Sequence, residues 1–362
     1  MASKTKRNGK IELLRFVFCI SIIIYHISTR FYEKKIVFDD FKLFHAGYIG
    51  VEFFFIVSGF LLAKSAMKPN DAKLPLGTQT VSFMRGKIMS LIVPHTIVFF
   101  VAFATGCIVL NTKLSEVPVD FVKALPCLFF LQKSGIPYYT VNAVEWYICS
   151  MLFSMLIIYP MCKKYKKTYT NVIAPVLGIM LIGYLVYKYS TLKYIKVYDV
   201  FTYKCNINAF AQINLGVCAY AISQKLKTLK LTRLDRIALT VIEAACYAFA
   251  LFFSLGYFSI KYDVYSLMAL FIAVPITFSD TSLFGEMFNN KFVYFLGRLS
   301  LYAYLIQVVA KDLIVIFTPN VIDNQILTVM AATAINIILG IGLMYLSKPI
   351  DKMLAGKLNK LN

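Results

Sequence analysis

The chain has 362 residues, 59% of them apolar, and carries 38 Lys and Arg against 18 Asp and Glu for a formal net charge of +20. Soluble domains sit at roughly 45–50% apolar, so this composition and a positive mean hydropathy exclude an ordinary soluble domain. The Lys and Arg residues lie in short clusters between apolar runs, which excludes nucleic acid as the partner and points to membrane topology and anionic lipid headgroups.

In chain order, apolar runs fall at 11–29, 47–66, 89–110, 144–162, 171–189, 206–223, 237–257, 264–280, 294–316 and 325–347. Each is long enough to cross a hydrocarbon core of about 30 Å. The expectation is an all-α polytopic membrane protein of about ten transmembrane helices. A single integral membrane domain fills 1–362, with no fused extracytoplasmic domain. The first run follows Lys4, Lys6, Arg7 and Lys10 and so imitates a secretion signal. It lacks a small-residue cleavage site and carries Arg15 and His26, so it reads as a retained first helix. With the N-terminus inside, the cytoplasmic segments hold 24 Lys and Arg and the outer segments 12. This bias places both termini in the cytoplasm of a multi-pass cell-membrane protein. The longest outer loop, 111–143, contains Pro118, Pro126, Gly135 and Pro137 and shapes a mouth or carries a re-entrant piece. Of eight cysteines, only Cys127 and Cys205 sit near loops, which leaves room for one disulfide and not for a framework. No CxxC or His/Cys cluster points to a metal.

Ionisable groups at membrane depth are costly and face a bundle interior or a watery cavity. Arg15 and His26, Glu52, Glu145, and Lys311 with Asp312 stand out by position. Arg15 and His26 are eleven residues apart, which is three helical turns plus roughly 20° and about 16 Å of rise. They therefore share a face, Arg15 near the cytoplasmic surface and His26 in the outer half. Two readings stand side by side: an extended ligand with its anionic end at Arg15 and its reactive end at His26, or a snorkelling Arg and a packed His. Glu52, in Gly50-Val51-Glu52-Phe53-Phe54-Phe55-Ile56-Val57-Ser58-Gly59-Phe60, falls near the depth of His26 and is placed to orient it or to cap its own helix. Gly59 with Ser58 permits close helix packing. Trp146, Tyr138 and Tyr139 are placed to stack on a sugar ring or to form an interfacial aromatic belt.

Arg15 with His26, followed by the Gly50–Phe60 run, resembles the opening of the acyltransferase-3 family of membrane acyltransferases. Phe83-Met84-Arg85-Gly86-Lys87 leading to Pro94 is similar to that family's basic stretch. Glu145-Trp146-Tyr147 leading to Tyr159-Pro160 resembles its Trp-containing helix. Leu296-Gly297-Arg298-Leu299-Ser300-Leu301-Tyr302-Ala303-Tyr304-Leu305-Ile306 resembles its late segment. The resemblance implies a ten-helix enzyme that moves an acyl group, most often acetyl, from cytoplasmic acyl-CoA to a hydroxyl of a cell-surface or lipid-linked glycan. It maps the family's paired Arg and His onto Arg15 and His26, and its acidic residue onto Glu52. The roles expected are His26 as general base or transient acyl carrier, Glu52 orienting it, Arg15, Arg85 and Lys87 holding the phosphates, and Glu145, Trp146, Tyr138 and Tyr139 meeting the sugar, with no metal. Two departures stand against the pattern. Lys87 is followed by Ser90 where a second basic residue is usual, so Arg85 substitutes, and Gln307 stands where the late segment often ends in His. The rival reading is a glycolipid or polysaccharide transporter or flippase without acyl transfer, and a third is a scaffold in glycan assembly.

Overall fold

The computed structural model describes residues 7–33, 43–69, 74–193, 196–317 and 325–358. Lys4, Lys6, Lys34, Lys35, Lys42, Lys73 and Lys360, which enter the charge asymmetry, lie outside the described residues. Among the described residues the chain forms twelve α-helices and one two-stranded hairpin.

The apolar runs become α1 (Gly9–Glu33) and α2 (Ile49–Ala66) as expected. The run at 89–110 becomes α4 (Ile92–Val109), preceded by a short, partly exposed α3 (Leu76–Met89) that ends at Ser90. Pro94 lies in the first turn of α4, where its missing N–H has no intrahelical partner to lose. α5 (Val117–Leu128) occupies the 111–143 loop and sets Phe121 edge-on against Phe99 and Phe103 of α4. α6 (Trp146–Thr168) and α7 (Ala174–Tyr189) are divided by Lys166, at φ 40°, and by a π-helical turn at Tyr169–Ile173; both pack on α8 (Lys204–Thr228). The hairpin pairs Tyr198 with Tyr203 and Asp199 with Thr202 just before α8. α9 (Arg233–Ser254), opened by a capping box from Thr232 and Asp235, α10 (Asp263–Ser279), α11 (Lys291–Phe317) and α12 (Gln325–Leu358) complete the bundle.

Among the described residues eight segments are long and apolar enough to cross a membrane, and one of these, 143–189, contains both α6 and α7. The remaining long helix, α8, carries Asn206, Asn208, Gln212 and Asn214. It is shielded by α2, α6, α7 and α10, so its amides meet protein rather than lipid. The protein is thus an all-α polytopic membrane protein whose long helices coincide with the ten apolar runs, while α3 and α5 are additions.

At the amino-terminal face of the bundle, Asn8 before α1 bonds to Thr277 O and Asp280 at the end of α10. Lys163 near the end of α6 reaches Lys68 O just past α2. The core is sealed where α2 and α8 cross. A Cβ on Gly59 would lie 2.1 Å from Ile213 O, and one on Gly216 2.2 Å from Ile56 O, so the two backbones touch through paired glycines. Phe18 stacks on Phe53 at 4.7 Å and Phe60 on Phe278 at 3.7 Å around this crossing. All eight cysteines are free, which corrects the room left for a Cys127–Cys205 disulfide; the Cys127 thiol donates instead to Tyr139 O.

Candidate active site

Two cavities lie back to back along α1, α6 and α11. The first, about 530 Å³, is lined by Arg7, Arg15, Lys87 and Arg298, and among the described residues no Asp or Glu lines it. Its walls continue through Val51, Phe54, Val57 and Leu61 of α2 and Leu301 and Tyr302 of α11. The four α2 residues recur three to four apart, so one stripe of that helix forms an apolar wall. Arg15 is half-buried and touches Glu12 one turn earlier at 3.4 Å. A cavity with four cations and an apolar flank suits a ligand that is anionic at one end and oily along its length.

The second cavity, about 420 Å³, lies nearer the far face. His26 and Thr29 of α1, Tyr139 and Trp146, and Lys196, Lys311 and Asp312 line it. The 111–143 loop does shape a mouth, since Tyr139, Thr140 and Val141 form part of this wall and the Tyr139 N–H is tied back to Lys123 O of α5. Among the described residues none lines both cavities. Between them stand Tyr147 and Tyr304, with ring centroids 6.0 Å apart, and the Tyr304 hydroxyl donates to Val144 O on the second cavity's wall.

The structure brings Arg15 and Lys87 together in the first cavity and His26, Trp146 and Tyr139 in the second. Four expectations are corrected. Glu52 does not orient His26: it is buried, lines neither cavity, lies beside Asn208 of α8 and feels the charges of Asp263 and Lys204. α2 puts Glu52 at the right depth but turns it toward α8. Glu145 does not face a sugar site; its carboxylate is buried and pairs with His95 Nδ1 at 2.9 Å. Arg85 lies on the exposed side of α3 and lines neither cavity. Tyr138 accepts a hydrogen bond from Lys133 and lines neither cavity either. Gln307 is buried and donates to Tyr304 O, one turn before it on α11.

Sequence reasoning missed several participants. In the sequence Arg7 belongs to the basic cluster before the first apolar run and Arg298 to the late motif, and neither position marks a ligand contact. Tyr147 follows Trp146 directly, and a step of about 100° sends the two rings to different cavities. Ser58 meets Tyr147 at 3.3 Å between hydroxyls. His95 carried no local signal. Its Nε2 faces Leu128 O at 3.1 Å; a carbonyl only accepts, so Nε2 bears hydrogen and the His95–Glu145 pair shares one further proton.

The acyltransferase domain model of the acyltransferase-3 type matches residues 8–345. The chain belongs to the acyltransferase-3 family. The matched stretch takes in every residue of both cavities except Arg7. This membrane acyltransferase matched no protein among those already characterised and no solved structure.

Proposed function

We propose that this acyltransferase moves a short acyl group, acetyl foremost, from cytoplasmic acyl-CoA to a hydroxyl of a cell-surface or lipid-linked glycan. The observation that carries the reading is the pair of cavities: cations without carboxylates in one, an imidazole in the other, and the same three helices walling both. In this reading the amino-terminal face is cytoplasmic. Arg7, Arg15, Lys87 and Arg298 hold the CoA phosphates, the guanidinium groups as bidentate forks. The pantetheine arm lies along Val51, Phe54, Val57 and Leu61, and its acyl end points toward His26.

The acceptor approaches the second cavity from the far face, with Trp146 and Tyr139 as stacking surfaces. His26 takes the proton of the acceptor hydroxyl as that oxygen attacks the thioester carbonyl. Lys311 and Lys196 supply positive charge where the oxyanion of the tetrahedral intermediate develops. Collapse breaks the C–S bond, and the CoA thiolate leaves with the proton held by His26. Glu52 plays no part at the imidazole; it ties α2 to α8.

The test supplies labelled acetyl-CoA to membrane vesicles containing the protein and measures label in the glycan fraction, normalised to monodisperse detergent-extracted protein. His26→Ala should lose about 10²–10⁴-fold of the transfer. Retention of more than about a tenth of wild-type transfer would remove His26 as base. Unconsumed acetyl-CoA with intact wild-type protein would favour a flippase.

A further inference from the structure

Among the described residues none lines both the basic cavity and the His26 cavity, yet in the proposed reaction the acyl carbon must pass from one to the other. The barrier is specific. Tyr147 and Tyr304 meet edge to face at 6.0 Å, and both line the basic cavity. The Tyr304 hydroxyl crosses to Val144 O, whose residue lines the His26 cavity. Phe55 of α2 braces the wall from behind, its centroid 4.7 Å from Tyr147 and 6.1 Å from Trp146. The Tyr147 hydroxyl is held at Ser58. The wall is thus made of two rings, each anchored by one hydroxyl contact to a neighbouring element.

We infer that Tyr147 and Tyr304 form an aromatic divider between the donor and acceptor cavities and set the length of acyl group that the enzyme transfers. The inference rests on the acyltransferase reading above. Three observations carry it: the absence of a shared lining residue among the described residues, the position of both rings on the donor side, and the hydroxyl contact that links Tyr304 to the acceptor wall. A two-carbon acyl group needs the rings to part only slightly. A longer chain must thread between them along its whole length before its carbonyl reaches His26, while Phe55 limits their retreat. Small aliphatic extensions in a confined pocket change discrimination by roughly 10- to 200-fold per methylene, so a divider of this kind gives a steep cut-off rather than a gradual decline.

The experiment measures release of free CoA thiol from acetyl-CoA and from butyryl-CoA by purified protein with a glycan acceptor, and reports the butyryl-to-acetyl ratio within each variant. The ratio cancels any difference in folded fraction. Tyr147→Ala should raise it by about 10-fold or more. Tyr304→Phe keeps the ring and the fold but frees the contact to Val144 O, and should raise it by roughly 2- to 10-fold, the worth of one neutral hydrogen bond. Tyr147→Phe keeps the ring as well, gives up only the contact to Ser58, and should move the ratio in the same direction. Acetyl transfer with a ratio unchanged in all three variants overturns the divider and leaves the acyltransferase reading standing. No thiol release by the wild type from either donor overturns both.

Discussion

Arg85 and Lys87 stand two residues apart on α3, and only Lys87 lines the basic cavity, its ammonium also lying 5.5 Å from the Phe83 ring centre. Lys87→Ala should therefore raise the KM for acetyl-CoA by roughly 10- to 150-fold, the worth of ~1.5–3 kcal/mol for a charge-assisted contact. Arg85→Ala should leave it within about 2-fold, as exposed substitutions do. Equal effects from the two would place the phosphates elsewhere. The buried His95–Glu145 pair invites a different measurement. Removing one member leaves an uncompensated group in the interior, at a typical cost of ~3–5 kcal/mol, whereas replacing both with apolar residues is often close to neutral. His95→Leu should thus lower the melting temperature in detergent more than His95→Leu with Glu145→Leu. A double variant that melts well below the single one would show the pair to be net stabilising. At this scale the sequence made the common face of Arg15 and His26 legible, because spacing on one helix is a local property. It misassigned Glu52 and Glu145, because depth along a helix says nothing of which neighbour the side chain will meet.

The crossing of α2 and α8 shows how an element is chosen by its surroundings. Helix α8 carries more buried amides than the other long helices, and it survives at membrane depth because four helices cover it. The Tyr169 hydroxyl donates to Asn214 and the Gln212 amide to Asn208, so these amides are bonded inside the protein. The glycine pair that lets α2 approach gives a direct prediction. Gly59→Ala places a methyl 2.1 Å from a backbone oxygen that no rotamer can move. Overpacking of this kind typically costs ~1–3 kcal/mol or more. The variant should show a lower melting temperature and less monodisperse protein. Gly183→Ala on α7, where nothing lies within 4 Å of the added carbon, serves as the control and should melt at or above the wild-type temperature. The small residue at 59 was legible from Ser58-Gly59 as a close-packing site. Its partner Gly216 was not, since nothing in α8 alone marks which of its faces is approached.

For the whole molecule, the 24-to-12 distribution of Lys and Arg motivates an orientation with the amino-terminal face in the cytoplasm and α5 outside. A membrane-impermeant thiol reagent applied to intact cells should label Ser134→Cys, which is exposed in the 111–143 loop, above the background of the wild type. Lys352→Cys near the end of α12 should be labelled only after permeabilisation. The reverse pattern would invert the bundle and detach the basic cavity from cytoplasmic acyl-CoA. The sequence by itself determined the membrane class, the ten long helices, the distribution of charges along the chain and the spacing of Arg15 and His26 on one helix. All of these follow from hydropathy and helical rise, which act within twenty residues or so. Only the tertiary structure decided that α1, α6 and α11 enclose two cavities rather than one channel. It also decided that Arg7 and Arg298 join Arg15, that Glu52 and Glu145 turn away from His26, and that Tyr147 and Tyr304 meet edge to face on the wall of the basic cavity. Those outcomes depend on the rotation of each helix about its own axis, and that rotation is set by contacts such as Gly59 against Ile213, between residues more than a hundred positions apart.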